Sequence, residues 1–230
     1  LGTPRLNPLA VASMVWNGFV VNPQTAVVGI ESVWPGQLRV FDSANKEERS
    51  EYFWNVPQHG EAAPMDEAGV ARELEHCVGL HMASDVPLGI FLSGGVDSPA
   101  IANLAQKFSH VPINTFTLAF DEQEFSEAHA ARRIAAAIGT RHREIVLTQQ
   151  DFIFRLDAAF DSMDQPSFDG LNSYFLSQAV NEAGFKVALV GTGGDELFGG
   201  YESFRDLPTL FRWCKRAKWL PRRSLIALAN

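Results

Sequence analysis

The sequence contains few of the features that mark secreted, metal-binding or membrane proteins. Only two of its 230 residues are cysteine, and Cys77 and Cys214 lie too far apart to form a C-x-x-C pair. They therefore indicate neither a disulfide framework nor a zinc site, and a reducing cytoplasm is the simplest location. No apolar run approaches the ~20 residues that span a bilayer. Residues 1–5 lack the charged and apolar regions of a signal peptide, so no membrane partner is expected.

Positive charge is also scarce. Lysine and arginine total 19 against 27 aspartates and glutamates, which gives a formal net charge of −8. A protein that holds a nucleic-acid backbone usually needs a basic patch, because neutralising phosphates supplies most of its affinity. We therefore expect no nucleic-acid partner. The hydrophobic fraction of 46% is normal for a globular protein with a sizeable core.

The chain divides into three parts by pattern. In residues 1–41, the N-terminal part, two apolar runs between Phe19 and Ile30 flank a turn sequence and predict β structure. Residues 42–64 are polar and interrupted by proline and glycine, which predicts a linker. Residues 65–230, the C-terminal part, have a different pattern.

The C-terminal part alternates short apolar runs with helical periodicity. It opens with an amphipathic helix predicted from about Asp66 to Ser84. Buried strands are predicted at Leu88–Leu92, Asn114–Phe120, Glu144–Leu147 and Lys186–Val190. Helices between them are predicted at Pro99–Phe108, Ser126–Ile138, Gln150–Asp161 and Asn172–Ala183. This alternation predicts an α/β fold, a parallel sheet with helices on both faces, whose ligands bind beyond the carboxyl ends of the strands.

The loop after the first of these strands reads SGGVDS at residues 93–98. Glycines let the backbone approach a ligand closely, and N–H groups between a strand and a helix can form a nest for anionic oxygens. The Asp97 carboxylate would repel a phosphate unless a divalent cation lay between the two groups. Asp97 is therefore a candidate magnesium ligand. The alternative is a tight turn in which Asp97 caps the next helix. The G-K-S/T ending of a Walker A loop is absent.

A second glycine-rich loop, GTGGDELFGGY at residues 191–201, follows the last predicted strand. It repeats the order of the first loop: a strand, then glycines, then an acid, Asp195. Ligands of a parallel sheet gather at the carboxyl ends of its strands. We therefore expect Asp97 and Asp195 to surround one magnesium ion and one triphosphate. A mobile hairpin is one alternative, and a calcium loop is another, although such calcium loops occur in arrays.

The two loops resemble known motifs. Residues 93–98 resemble the pyrophosphate-binding loop of the N-type ATP pyrophosphatases. Residues 193–201 resemble a narrower group, the glutamine-hydrolysing asparagine synthetases and their relatives, which include β-lactam synthetase. Residues 16–41 look like the closing strands of that family's N-terminal class II glutaminase domain. The resemblance implies an incomplete glutaminase tail in the N-terminal part and a synthetase domain that continues beyond Asn230.

The family resemblance implies a two-step reaction. ATP adenylates a substrate carboxylate, aspartate in the family, and pyrophosphate is released. Ammonia derived from glutamine then converts the acyl-adenylate to an amide and AMP. The implied cosubstrate and metal are ATP and Mg²⁺. The implied partners are a small-molecule carboxylate and glutamine or ammonia supplied through the glutaminase domain, and a homodimer is a candidate assembly.

The same resemblance implies which residues form the site. Pyrophosphate and magnesium would be held by Ser93, Gly94, Gly95, Asp97 and Ser98. The adenine and ribose would lie against the backbone of Phe91, Leu118, Val190 and Gly191. The implied metal ligands are Asp97, Asp195 and Glu127, and the implied catalytic residues are Asp97 and Asp195, with Thr192 at a position discussed next.

Thr192 departs from the family pattern, because asparagine synthetases typically carry there a glutamate implicated in forming and using the aspartyl-adenylate. Threonine cannot serve as an acid or base. The alternatives are therefore the same adenylation with another acceptor, as in lactam closure or amidation of a sugar or peptide acid, or a non-catalytic nucleotide-binding subunit. Residues 164–174 either face the acceptor pocket or form a loop in which Asn172 caps the next helix.

Overall fold

The computed structural model describes four stretches of the chain, residues 3–43, 47–57, 66–120 and 127–217. The helices are α1 (Pro8–Asn17), α2 (Glu67–His81), α3 (Asp97–Lys107), α4 (Ala128–Ile138), α5 (Gln149–Asp161), α6 (Phe168–Glu182), α7 (Gly194–Phe198) and α8 (Glu202–Ala217). The strands are β1 (Gln37–Asp42), β2 (Glu47–Tyr52), β3 (Leu88–Phe91), β4 (Asn114–Phe120), β5 (Arg141–Leu147) and β6 (Val187–Leu189). None of the helices in these stretches is long and apolar enough to cross a membrane.

The C-terminal part is built on a parallel sheet of four strands in the order β5-β4-β3-β6. β3 is therefore central, and it pairs with β4 on one side and with β6 on the other. Since all four strands run in the same direction, the loops that follow β3 and β6 leave the sheet at the same edge. The predicted α/β fold with a parallel sheet is confirmed.

Helices cover both faces of this sheet. On one face, Ile90 of β3 packs with Ala102 of α3 and Ala131 of α4 in a single core cluster. On the other face, Phe116 of β4 meets Phe185 edge-on, with ring centroids 4.9 Å apart, in a cluster that also includes α6. Because side chains alternate between the faces of a strand, β3 and β6 each contribute to both clusters.

The N-terminal part differs from the prediction. The two strands predicted between Phe19 and Ile30 are wrong, because this stretch forms turns and isolated bridges and is preceded by helix α1. The side chain of Asn7 caps α1 by accepting a hydrogen bond from the N–H of Leu9. Gly18 ends the helix in the left-handed conformation that glycine adopts without strain. These helix start and stop signals place α1 directly before the apolar runs.

The predicted linker also contains regular structure. Part of it folds as β2, which pairs antiparallel with β1. Residues 44–46 and 58–64 of the predicted linker, and residue 65 after it, lie outside the described residues. The same is true of Ser126, the first residue of a predicted helix, and of residues 218–230.

In the C-terminal part, the predicted helices and strands occur in the predicted order and differ at their ends, whereas α7 and α8 were not predicted. The most consequential difference concerns α6, which begins at Phe168 and not at Asn172. Asn172 therefore lies inside the helix, and the interpretation of Asn172 as a helix cap is wrong. The N-cap position belongs to Ser167, whose side chain makes no capping hydrogen bond.

A partly buried histidine, His142, lies near the start of β5, at the opposite end of the strands from the two glycine-rich loops. The Nδ1 of His142 is 3.0 Å from the hydroxyl of Thr115, and its Nε2 is buried without a hydrogen-bond partner. Burial lowers the pKa of His142, because the imidazolium would lose its hydration, although the nearby Glu144 carboxylate acts in the opposite direction. This placement indicates a structural role.

We expect the free energy of unfolding to decrease as the pH is lowered from about 7 to about 5.5, where most carboxyl groups are still ionised. The pKa of His142 is lower in the folded chain than in the unfolded chain, so the unfolded chain takes up a proton first and is favoured. The stabilisation is complete above the unfolded pKa of about 6.5 and is lost as the pH falls through the folded pKa. Urea unfolding at each pH measures it.

His142→Asn removes this titrating group, and His110→Asn, at an exposed position, is its matched control. The pH dependence should be weaker in His142→Asn and unchanged in His110→Asn. An equal slope in the wild type and in His142→Asn would show that another group causes the effect.

Candidate active site

The two glycine-rich loops lie against each other beyond β3 and β6. A Cβ atom on Gly191 would lie 2.9 Å from the backbone nitrogen of Ser98 and 3.2 Å from the Cβ of Asp97. Gly194 is closer still, because any side chain there would overlap with the carboxylate of Asp97. The neighbouring positions of β3 and β6 therefore bring together two loops that are far apart in the sequence.

An open cavity of about 700 Å³ lies between these loops, β4 and α6. Ligand pockets in proteins typically have volumes of roughly 300–1,000 Å³, so a nucleotide fits a space of this size. All the predicted site residues line it except Gly94. The predicted residues at the cavity are Phe91, Ser93, Gly95, Asp97, Ser98, Leu118, Glu127, Val190, Gly191, Thr192 and Asp195.

Two serines hold the first loop in shape. The hydroxyl of Ser98 is buried, accepts a hydrogen bond from the N–H of Ser93 at 2.8 Å and lies 2.9 Å from the Ser93 hydroxyl. The Ser93 hydroxyl in turn accepts a hydrogen bond from the N–H of Gly95 at 3.3 Å. The loop is thus a small hydrogen-bonded turn at the N-terminus of α3, where helix N–H groups favour anions.

Asp97 is the first residue of α3, and the N-cap position belongs to Val96. The alternative interpretation, in which Asp97 caps the helix, is therefore wrong. Its carboxylate instead lies against Gly194 in the second loop. This position leaves the Asp97 carboxylate at the cavity, where it can meet a ligand.

Glu127, the residue before α4, also contacts the first loop. Its Oε2 accepts a hydrogen bond from the N–H of Gly94 at 2.9 Å. That N–H is one of the donors that the sequence predicts for an anion, and in the structure a carboxylate oxygen accepts from it. Gly94 therefore reaches the site through its backbone, although it does not line the cavity.

The glycines of the second loop make room for carboxylates. Gly194 accommodates Asp97, and Gly200 accommodates Asp195 in the same way, since a Cβ on Gly200 would overlap with Oδ1 of Asp195. The N–H of Gly200 also donates to the backbone oxygen of Asp195 at 2.9 Å. Positions 194 and 200 therefore have to be glycine, because the two aspartate carboxylates pack where a side chain would lie.

Glu196 and Tyr201 form a hydrogen-bonded pair at the cavity. The Tyr201 hydroxyl donates to Oε1 of Glu196 at 2.8 Å. This hydrogen bond lowers the pKa of Glu196 and raises the pKa of Tyr201. Glu196 is thus an anion and Tyr201 a neutral donor at physiological pH.

Helix α6 supplies a wall that the sequence indicates only in part. Asp169, Asn172 and Leu176 recur at helical spacing, so they lie on one face of α6, and all three line the cavity. This supports the interpretation in which residues 164–174 face the pocket.

The contribution of Phe116 was not predicted, because an aromatic residue in a buried strand is indistinguishable from ordinary core.

The described lining of the cavity is acidic. It contains five carboxylates and no lysine, arginine or histidine; the five are Asp97, Glu127, Asp169, Asp195 and Glu196. Within the described stretches, no three His, Cys, Asp or Glu side chains are grouped so as to hold a metal ion by themselves. The predicted ligands Asp97, Asp195 and Glu127 therefore do not form a preassembled site.

This arrangement nevertheless fits Mg²⁺ that binds together with a nucleotide. Mg²⁺ is usually bound through one or two carboxylates, water and substrate phosphates, and seldom by a cage of protein ligands alone. Asp97 and Asp195 both line the cavity, and neither forms an ion pair with a described residue. Two carboxylates without a described ion-pair partner, beside the glycine-rich first loop, are the donor set that such a metal requires.

Comparison with known proteins identifies the family. Residues 69–229, most of the chain, match the family model for asparagine synthase. The chain belongs to the asparagine synthase family. The resemblance carried by the two glycine-rich loops is thereby confirmed, and the family match includes both of them.

Individual relatives in the asparagine synthase family cover less of the chain. The glutamine-hydrolysing asparagine synthetase 1 of Bacillus subtilis (strain 168) is 39% identical over 131 residues, which are 56% of this chain and 20% of that protein. The glutamine-hydrolysing asparagine synthetase 3 of the same organism is 29% identical over 184 residues, 71% of this chain and 30% of that protein. The chain thus spans under a third of the length of either relative.

Among solved structures, an NH3-dependent NAD synthetase from Campylobacter jejuni is similar, with a TM-score of 0.41 and 19% identity. The match covers 60% of this chain and 61% of that chain. The four-stranded parallel sheet and the cavity at its edge are observed directly in the structure of the present chain.

Proposed function

We propose that this chain is the ATP-using part of an amide-forming ligase that adenylates a carboxylate and releases pyrophosphate. The observation that carries the proposal is the meeting of the two loops, which puts the carboxylates of Asp97 and Asp195 at one cavity. Membership of the asparagine synthase family supports the use of ATP and the formation of an amide.

The first loop suits the pyrophosphate end of ATP. We propose that Ser93, Gly94, Gly95, Asp97 and Ser98 hold the β- and γ-phosphates, with Asp97, Asp195 and Glu127 as the acidic groups near Mg²⁺. The bound metal would neutralise the charge that builds on the departing pyrophosphate. The N–H of Gly94 becomes available to a phosphate oxygen when the Glu127 carboxylate moves away from it.

The edge of the sheet suits the adenosine end. Phe91, Val190 and Gly191 lie at or just after the ends of β3 and β6, Leu118 lies two residues before the end of β4, and all four line the cavity. We propose that their backbone groups contact the adenine and ribose. Backbone groups at strand ends are free of the sheet and can form hydrogen bonds with a base.

The proposed chemistry has two steps. A carboxylate oxygen of the substrate attacks the α-phosphorus of ATP, the α–β phosphoanhydride bond breaks, and pyrophosphate leaves with the electron pair. Ammonia then attacks the acyl carbon, the bond to AMP breaks, and the amide is released with one proton. Walls on several sides of the cavity would hold carboxylate and α-phosphate in line, which is a large part of the rate enhancement in such reactions.

We further propose that ammonia is derived from glutamine, and that the N-terminal part is the tail of a glutaminase domain. This part exposes large apolar side chains, among them Val15 (79% exposed) and Trp16 (88% exposed). Clustered apolar exposure usually marks a surface that another domain or protein covers. The greater length of the matched relatives agrees with additional domains.

A different acceptor acid is the second candidate, and Thr192 favours it. Thr192 lies in the second loop, lines the cavity and carries no group that can accept or donate a proton near neutral pH. The resemblance places a catalytic glutamate there in asparagine synthetases. The same adenylation could thus activate a carboxylate other than that of aspartate.

ATP–pyrophosphate exchange by the full-length protein, over a panel of carboxylates beginning with aspartate, tests both candidates. Exchange that depends on aspartate would support asparagine synthesis with threonine at position 192. Exchange with another acid alone would identify that acid as the substrate. No exchange with any acid, while Mg²⁺-ATP still binds, would contradict the ligase assignment and favour a nucleotide-binding subunit.

A further inference from the structure

Helix α6 begins without a cap of its own. A helix start leaves its first backbone N–H groups without intrahelical partners, and a side chain at the N-cap usually binds one of them. Ser167 occupies that position but makes no such bond. Instead, the N–H of Phe168, the first helical residue, donates to the backbone oxygen of Gly18 at 2.9 Å. The cap of α6 thus comes from the N-terminal part.

Further contacts join the same two segments. The N–H of Ala26 donates to Oε1 of Gln165 at 3.0 Å, a partly buried hydrogen bond between residues 139 positions apart. Phe19 and Ser167 form an antiparallel bridge. Gly18 lies against the ring of Phe168, since a Cβ on Gly18 would be 2.8 Å from Cδ2 of that ring. Separate backbone and side-chain contacts therefore fix the start of α6 from outside.

We infer that residues 18–26 act as an external cap that positions the start of α6, and with it Asp169 and Asn172 at the cavity. Gly18 and Gln165 do not line the cavity, so they are positioning residues. Helix ends are the least stable turns of a helix. Asp169 lies in the first turn of α6, so its position depends directly on whether the cap is in place.

This arrangement links two parts of the protein. The wall formed by α6 is complete only when the N-terminal part is docked, whereas the loops after β3 and β6 do not depend on that contact. For the ligase, the half of the cavity away from the phosphate loop would be organised by the domain that supplies ammonia, and this consequence rests on the proposed function.

Residue-resolved hydrogen–deuterium exchange of the full-length protein tests the inference without turnover. Gly18→Ala and Gln165→Met should speed exchange of the Phe168 amide and of amides 171–173 by about fivefold or more, the effect of losing one hydrogen bond. Gln165→Glu keeps an oxygen that accepts from Ala26 and should retain wild-type exchange.

Gly29→Ala is the matched control for Gly18→Ala. Both glycines have positive φ, +78° for Gly18 and +85° for Gly29, but a Cβ on Gly29 would meet nothing within 4 Å. Gly29→Ala should therefore leave exchange at the start of α6 unchanged, because it introduces the same backbone strain without touching Phe168. The affinity for Mg²⁺-ATP should be unchanged in all four variants.

Wild-type exchange at the start of α6 in both Gly18→Ala and Gln165→Met would overturn the inference. Equal acceleration in Gln165→Glu, or acceleration that extends through β3 and β4, would also overturn it, because the effect would then be general destabilisation. Failure of the proposed function has a separate signature, since the wild-type protein would then show no ATP–pyrophosphate exchange with any carboxylate, whatever the pattern of hydrogen–deuterium exchange.

Discussion

Asp97→Asn is expected to reduce ATP–pyrophosphate exchange by at least about 100-fold. Asparagine has nearly the shape of aspartate, so it fits against Gly194, and the first loop keeps its serine hydrogen bonds. What is lost is the negative charge that would hold Mg²⁺ beside the phosphates. The exchange assay and calorimetric titration of Mg²⁺-ATP measure the effect, and the unfolding midpoint should change little.

Asp157→Asn is the matched control for this substitution. Asp157 is exposed on α5 and does not line the cavity, so the same chemical change should leave exchange unaltered. Exchange within twofold of the wild type in Asp97→Asn would remove Asp97 from the metal site. An equal loss in both variants would point to net charge and not to the site.

Gly194→Ala is expected to lower exchange by about 100-fold, the cost of misplacing a reacting group by about 1 Å. The added methyl would occupy the space of the Asp97 carboxylate, so either that side chain must turn away or the second loop must move. In both cases Asp97 loses its position at the cavity. The expected result is weaker binding of Mg²⁺-ATP together with slower exchange.

A double-mutant cycle separates this mechanism from simple loop damage. If Gly194→Ala acts by displacing the Asp97 carboxylate, it should add little when Asp97 is already asparagine, because effects through one group are not additive. Fully additive losses would show that the methyl disturbs something else. Gly184→Ala serves as a control, since Gly184 has a φ of +86° but nothing within 4 Å of its Cβ position.

Local pattern predicted the C-terminal part well for a physical reason. Buried strands of a parallel sheet are short apolar runs, and β4 occurs at Asn114–Phe120, as its apolar run indicates. The N-terminal part was misinterpreted because apolar runs alone do not make a hairpin. Pro8 and Gly18 bound a helix at its two ends, and these signals were available in the sequence.

The sequence likewise predicted one part of the candidate site and not the other. The sequence alone indicated the two loops, because glycines followed by an aspartate after a strand are a local pattern. It gave only an ambiguous indication of α6. Asp169 could not be assigned to the cavity, because its position depends on where the helix starts, and that start is set by contacts with Gly18 and Gln165.

The sequence by itself determined the alternation of strands and helices, the two acidic glycine-rich loops and the family. Only the tertiary structure decided that Gly194 makes room for Asp97 and that the N-terminal part caps α6. The reason is that these contacts join residues far apart in the chain. They depend on the order of the strands in the sheet and on the docking of one segment against another, and neither is encoded in a local pattern.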